Sequence, residues 1–416
     1  MKEVHGVRES RVLWMAIILC TVYQSYRYPL QVNSSGTSPT YSDTPFALQA
    51  GKYLLAAPLL VAAAIQCFGK IAPLKQWFIA FAVLLLSSFA LLKGTEVHDG
   101  VFLELSYWLT LALVLAWSVD TVQVSSIDRY FKFLLIYALA STIIEVALFI
   151  TIGRLPALAF EGSLSVRFGG FLDDPNGFAA ILLLLLGWSY WRFKGLARLS
   201  ILGSIVVALL LTQSWTALGF LALLVFVWIS IALSKRPLPA VIAVCACTVF
   251  TFVLANRQRL SPGEFLENVL LMKQGSISDH SFPWEHWASQ WTGWALLGDS
   301  TYNPYESWWA GALVNFGVIW YMVFLGVIGV LIFSLRDAFS KARGEARPIY
   351  LGLLILGCYF VFGSFNLPFP RIFPVNFIFY LFGFLAAFGK IQYTEFASSQ
   401  PVALPLQYSQ SESSEK

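Results

Sequence analysis

Charge is what this 416-residue chain has least of: 12% of its residues are charged, against 58% hydrophobic. That balance excludes an ordinary soluble domain and points to a polytopic membrane protein. The formal net charge is only +4. The lysines and arginines stand beside apolar runs, so nothing invokes a nucleic-acid partner. Cysteine is scarce as well. Cys20, Cys67, Cys245, Cys247 and Cys358 all lie in apolar runs without metal-ligand spacing, and read as small buried hydrophobes. His280 and His286 are too widely spaced for one helical face, which excludes a zinc motif there. No glycine-rich nucleotide loop, hydrolase-type carboxylate pair or internal repeat is evident.

Apolar sequence is what the chain has in abundance. A helix needs roughly 20 apolar residues to cross a bilayer. Twelve segments qualify: 11–28, 48–68, 74–93, 101–119, 130–152, 176–191, 197–213, 215–234, 237–255, 308–334, 349–365 and 371–389. Only Gln213-Ser214-Trp215 separates the seventh from the eighth, which fits either a tight hairpin or one long kinked element. Lys2, Arg8 and Arg11 introduce the first segment in the outline of a signal peptide. No clean cleavage site follows, so it reads as an uncleaved span.

Alternate connections carry clustered positive residues: Lys70 and Lys75; Arg129 and Lys132; Arg192, Lys194 and Arg198; Lys235 and Arg236; Arg336, Lys341, Arg343 and Arg347; then Lys390. By the positive-inside rule these connections and both termini are cytoplasmic. The expected fold class is therefore all-α. It is a polytopic membrane protein of about twelve transmembrane helices, with one large outward loop, 256–307, before the last three spans. Residues 1–394 make one membrane domain, and the polar stretch 395–416 reads as a disordered cytoplasmic tail.

Polar chemistry collects on the outward side. Arg154, Arg167, Arg257, Arg259 and Arg371 stand there against the simple orientation rule. Arg167 precedes the flexible Gly169-Gly170 turn; its guanidinium can fork onto a phosphate, or pair with Asp173 or Asp174. Asp174 or Asn176 can cap the sixth helix, with Pro175 near its start. Arg257 and Arg259 follow the ninth span at headgroup depth. The large loop adds Trp284, Trp287, Trp291 and Trp294, and leads to Trp308. Its His280 titrates near neutrality and can serve as a base. Glu306 stands at the mouth of the tenth span, either as a cap at the positive helix end or as an outward carboxylate.

Three short motifs carry a resemblance. They are Arg167-Phe168-Gly169-Gly170-Phe171 with Pro175-Asn176-Gly177-Phe178-Ala179, then Leu211-Thr212-Gln213-Ser214, then Tyr305-Glu306-Ser307-Trp308-Trp309 through Asn315-Phe316-Gly317. With the span count and the late large loop, they resemble the O-antigen ligase and O-antigen and exopolysaccharide polymerase superfamily of bacterial inner-membrane glycosyltransferases. The likeness covers roughly residues 50–390, and organisation carries more of it than any single motif. Two positions depart from the ligases: Trp215 stands where an arginine is usual, and Tyr305-Glu306 or Glu306-Ser307 stands where His-Asn is usual.

The resemblance implies a periplasmic loop and a donor glycan on a polyprenyl pyrophosphate, with no nucleotide, cofactor or metal needed. It makes the chain a polymerase of lipid-linked repeat units. The alternatives are a ligase loading lipid A core and, from another class, a transporter or flippase of lipid-linked saccharide. Transporters often show two related halves, which this sequence does not. The implied roles are Arg167, Arg257, Arg259 and Arg371 on the pyrophosphate, Asn176 on substrate, and Glu306, with His280 behind it, as proton acceptor. Membrane lipid is a partner, with chain-length regulator and flippase proteins as possible others.

Overall fold

The computed structural model of the protein describes residues 11–23, 46–68, 70, 72–97, 100–152, 168–172, 174–233, 296, 298, 308–365 and 372–392. These form α1 (Arg11–Val22), α2 (Phe46–Cys67), α3 (Leu74–Val97), α4 (Gly100–Ser118), α5 (Val124–Ile152), α6 (Pro175–Arg192), α7 (Gly195–Thr212), α8 (Trp215–Leu233), α9 (Trp308–Lys341), α10 (Ala346–Gly363) and α11 (Val375–Ala387). The only strands among the described residues are β1 (Val122–Gln123) and β2 (Ile391–Gln392), which pair in parallel. The protein is an all-α, multi-helix molecule whose long apolar helices suit a multi-pass membrane protein.

Twelve crossings are expected from the sequence. Among the described residues, six helices are long and apolar enough to cross a membrane, and four apolar helices are shorter. Composition accounts for part of the difference. α6 has the length, but its polar first turn and its Trp-Ser-Tyr-Trp-Arg end dilute the apolar run. The expected span 237–255, almost all of the loop 256–307 and the tail 395–416 lie outside the described residues. α9 continues past the apolar run to Lys341, where Lys341 pairs with Asp337 one turn back at 2.6 Å. The 213–215 connection is a break between two helices. Gln213 ends α7 in the left-handed region (φ 47, ψ 32), and the Ser214 carbonyl accepts the N–H of Leu218 in α8.

From α2 to α11 the described helices alternate in direction except α8 and α9, which start at the same end, so their connections fall at two ends. One end is basic. There Lys70 donates to Asp120 at 2.8 Å, Arg192 and Lys132 both pair with Asp128, and Arg347 lies 4.4 Å over the Trp191 ring. The hydrogen bond from Lys70 holds the Asp120 carboxyl below the usual range, and burial pulls the Lys390 ammonium down. The β1–β2 pair closes the same end. The opposite end holds the starts of α2, α4, α6, α8, α9 and α11 and the finish of α7 and α10.

The centre is packed from all sides. Every residue of α11 from Val375 to Leu385 is buried, as is α6 from Gly177 to Ser189 apart from Leu186. Between helices in lipid, close packing replaces the hydrophobic drive, and small residues permit it. α6 meets α10 through Gly187 and Gly352. A β-carbon on Gly187 would stand 3.2 Å from the Gly352 Cα, and one on Gly352 would meet the Leu184 carbonyl oxygen at 2.7 Å and the Trp188 Cβ at 3.1 Å. Gly203 in α7 faces open space instead. Gly352→Ala should therefore destabilise the protein by about 1–3 kcal/mol through overpacking against backbone. Gly203→Ala should gain about 0.5–1 kcal/mol of helix propensity. Thermal unfolding in detergent checks both, and a neutral Gly352→Ala would sink the close-packing account.

Candidate functional site

At the end opposite the basic one, the start of α6 becomes a junction. The Asp174 side chain accepts the Asn176 N–H at 2.9 Å, and Pro175 opens the helix with no donor to lose. The cap falls to Asp174, which leaves the Asn176 side chain for another partner. That partner is Ser214, whose hydroxyl donates to Asn176 Oδ1 at 2.8 Å. The Ser214 N–H in turn donates to Thr212 Oγ1 at 3.2 Å. The first two quoted motifs therefore meet across the α7–α8 break.

The glycine turn before α6 is pinned on several sides. The Phe168 N–H donates to the Leu211 carbonyl at 3.1 Å. Gly170 has φ +58, and a β-carbon there would run into the Phe178 ring, so only glycine fits. The Gly170 N–H donates to Glu145 Oε2 at 2.7 Å, and Glu145 is fully buried in α5. Phe171 packs on Tyr137 at 4.5 Å and edge-on to Phe178 at 5.7 Å. Gly177 closes the junction from the other side. A β-carbon on it would stand 2.6 Å from Ile372 Cγ2, so Ile372 rests on bare backbone at the start of α11.

The third motif lies elsewhere at the same end. α9 is broken at Gly317 (φ 70, ψ 170). A β-carbon on Gly317 would meet the Leu296 carbonyl carbon at 2.6 Å, and one on Gly298 would meet the Gly317 nitrogen at 2.7 Å. Part of the large loop thus reaches the broken helix with no side chain between the backbones. Asn315 is buried beside the break; its Nδ2 donates to the Gly311 carbonyl at 2.8 Å, while Oδ1 meets no donor among the described residues. The Trp309 N–H donates to the Ser364 carbonyl at 3.3 Å and its indole N–H to the Val361 carbonyl at 2.9 Å, which ties the start of α9 to the end of α10.

Of the residues expected from the sequence, Asn176 lies in the junction. Arg167, Arg257, Arg259, His280, Glu306 and Arg371 lie outside the described residues. Arg167 directly precedes Phe168 in the chain, and Arg371 directly precedes Ile372. Sequence reasoning passed over three buried charges at this end: Glu145, Lys52 and Glu104. The available signal was an ionisable residue inside an apolar run, which is costly in hydrocarbon and marks function. Among the described residues no three His, Cys, Asp or Glu side chains converge as a metal site. No protein-family model matches the chain, and a search of curated proteins finds no match either.

The junction generates a stability test. Glu145→Leu removes the carboxylate acceptor of the buried Gly170 N–H and should cost about 1–3 kcal/mol. Glu145→Gln keeps an acceptor oxygen and should cost less. Thermal unfolding by circular dichroism checks the order; a Leu variant as stable as wild type would mean the carboxylate does not hold the turn.

Proposed function

We propose that this chain is a membrane glycosyltransferase that polymerises polyprenyl-pyrophosphate-linked oligosaccharide repeat units on the periplasmic face of a bacterial inner membrane. The observation that carries the reading is the Ser214–Asn176 hydrogen bond, 2.8 Å long, joining two motifs that resemble the O-antigen polymerase and ligase superfamily. A chance likeness of two short stretches predicts no contact between them. The sorting of the described helix connections into a basic end and an opposite end supports the full topology: about twelve spans, cytoplasmic termini and a periplasmic loop 256–307.

In this reading the acceptor sugar hydroxyl attacks the anomeric carbon of the donor glycan. The bond to the lipid pyrophosphate breaks, and the pyrophosphate leaves with the electron pair, inverting the centre. Arg167, Arg257, Arg259 and Arg371 hold the developing charge, with Arg167 and Arg371 adjoining the pinned turn and Ile372. Asn176 is held by Ser214 as a polar contact for substrate. Glu306 takes the proton from the hydroxyl, with His280 as the second choice. The leaving group is already good, so the reaction needs no nucleotide and no divalent metal. Trp215, half exposed at the start of α8, and Glu306 stand where ligases carry arginine and His-Asn, which favours polymerase over ligase.

Purified protein given only polyprenyl-pyrophosphate repeat units should lengthen lipid-linked chains without ATP, nucleotide sugar or added metal. Lipid translocation with no chain growth would instead make it a transporter. Cells lacking it should accumulate single lipid-linked units; long polymer stranded on the carrier would make it a ligase. Arg167→Lys loses the paired donors and should be strongly impaired. Glu306→Gln should lower turnover by about 10² or more with donor affinity retained, and near-normal turnover would move the assignment to His280. Cysteines at Ser276 and Ser409 report topology: an impermeant reagent should label the first alone in intact cells.

A further inference from the structure

We propose that Lys52 and Glu104 form a second anion subsite, which anchors the pyrophosphate of the acceptor lipid. The inference rests on the proposed function. A polymerase of this kind must hold two substrates with the same headgroup, since the growing chain passes from one lipid pyrophosphate to a unit still attached to another. A ligase or a single-lipid transporter has no such need. The junction at the start of α6, flanked in the chain by Arg167 and Arg371, answers for one pyrophosphate only.

Lys52 is the one buried cation among the described residues. It lies near the start of α2 and pairs with Glu104 near the start of α4, their side chains 9% and 12% exposed. The Tyr53 hydroxyl donates to the same Glu104 oxygen at 3.0 Å. The Lys52 ammonium sits 5.0 Å from the Tyr53 ring centroid and 5.5 Å from that of Phe373. Trp108, one turn beyond Glu104 on α4, stacks on Phe373 at 4.2 Å and on Tyr53 at 5.7 Å. Its buried indole N–H meets no acceptor among the described residues. The cluster therefore gathers an ammonium and a phenol on one carboxylate, beside an indole whose N–H is unsatisfied among the described residues. That is a surplus of donors, and phosphate oxygens are acceptors only.

A buried Lys–Glu pair inside an apolar bundle is a poor device for stability, because hydrophobic residues of the same volume serve as well or better. Its position suggests a use. Phe373, which faces Lys52, directly follows Ile372, which rests on Gly177 in the α6 junction. Two consecutive residues thus separate the two polar clusters. The adjoining face of α2 exposes Leu54, Leu55, Val61 and Ile65, an apolar surface along which a polyprenyl chain can lie. This favours a lipid headgroup over free phosphate. On binding, pyrophosphate oxygens displace Glu104 from part of the Lys52 ammonium and engage the Trp108 N–H.

The probe is a polyprenyl pyrophosphate carrying no glycan, titrated onto the full chain in nanodiscs and counted by native mass spectrometry. Wild type should bind two equivalents, the polyprenol of equal length none, and inorganic pyrophosphate should compete only weakly. Lys52→Gln/Glu104→Gln removes both charges without leaving either unpaired; it should bind one equivalent, the second weakening at least tenfold. Lys52→Glu/Glu104→Lys keeps a pair, and so the fold, but moves the cation to α4; it should lose the second equivalent too. Either variant folding with both equivalents intact would overturn the subsite. One equivalent in wild type as well as in the variants would also overturn it while sparing the proposed function. No binding to wild type would sink both, and strong competition by inorganic pyrophosphate would mean a free-phosphate site instead of a lipid one.

Discussion

A hydrocarbon layer offers no hydrogen bonds, and the polar contacts among the described helices fit that constraint. Helices satisfy their own backbones, but their ends and their polar side chains must find partners. The buried acids show the result. Asp128, in the first turns of α5, accepts from Arg192 at 2.9 Å and from the Trp188 indole at 3.2 Å, and pairs with Lys132 at 2.8 Å. Glu104, in the first turns of α4, takes Lys52 and Tyr53. Glu145, toward the far end of α5, takes the Gly170 amide. Each lies toward a helix end, so partnering divides the molecule into a basic end built on ion pairs and an opposite end built on turns, caps and enclosed charges.

Close packing turns that division into a site. α6 can be enclosed only because Gly187 and Gly352 let it approach α10 at backbone distance. Its first turn, with Asp174 and Asn176 half-buried, is then satisfied from within the protein. Asp174 caps it, and Asn176 finds Ser214 across the break after α7. The same enclosure puts Gly177 under Ile372 and the Phe178 ring against Gly170. The junction is thus a consequence of packing, with its polar residues oriented by neighbours from α5, α7 and the start of α11.

Much of the helical layout was legible in the sequence, because apolar runs and alternating positive clusters are summed over many residues and tolerate local error. The break at 213–215 was not. Three residues between apolar runs allow a turn or a kink, and the left-handed Gln213 decides it. Lys52, Glu104 and Glu145 were missed for a related reason. One charge barely alters an apolar window, and the Lys52 partner is 52 residues away in sequence, so no helical spacing betrays the pair. Asn176 was legible as a polar helix start; that Asp174 takes the cap and frees Asn176 for Ser214 depends on a contact 38 residues distant. The break at Gly317 was equally hidden, since a lone glycine in an apolar run reads as an ordinary packing residue until Gly298 arrives against it.

The start of α11 links the two polar clusters mechanically. Ile372 seats on Gly177, where no side chain cushions it, and Phe373 lies flat against Trp108. These adjacent residues have Cα atoms about 3.8 Å apart, so a displacement of one within a close-packed interior is felt by the other. A shift of Phe373 away from Lys52 must either carry Ile372 along the α6 backbone or be absorbed by the chain between them. Arg371 precedes both. In the proposed reading, a cation at that position adjoins the short stretch of chain that, among the described residues, touches both clusters.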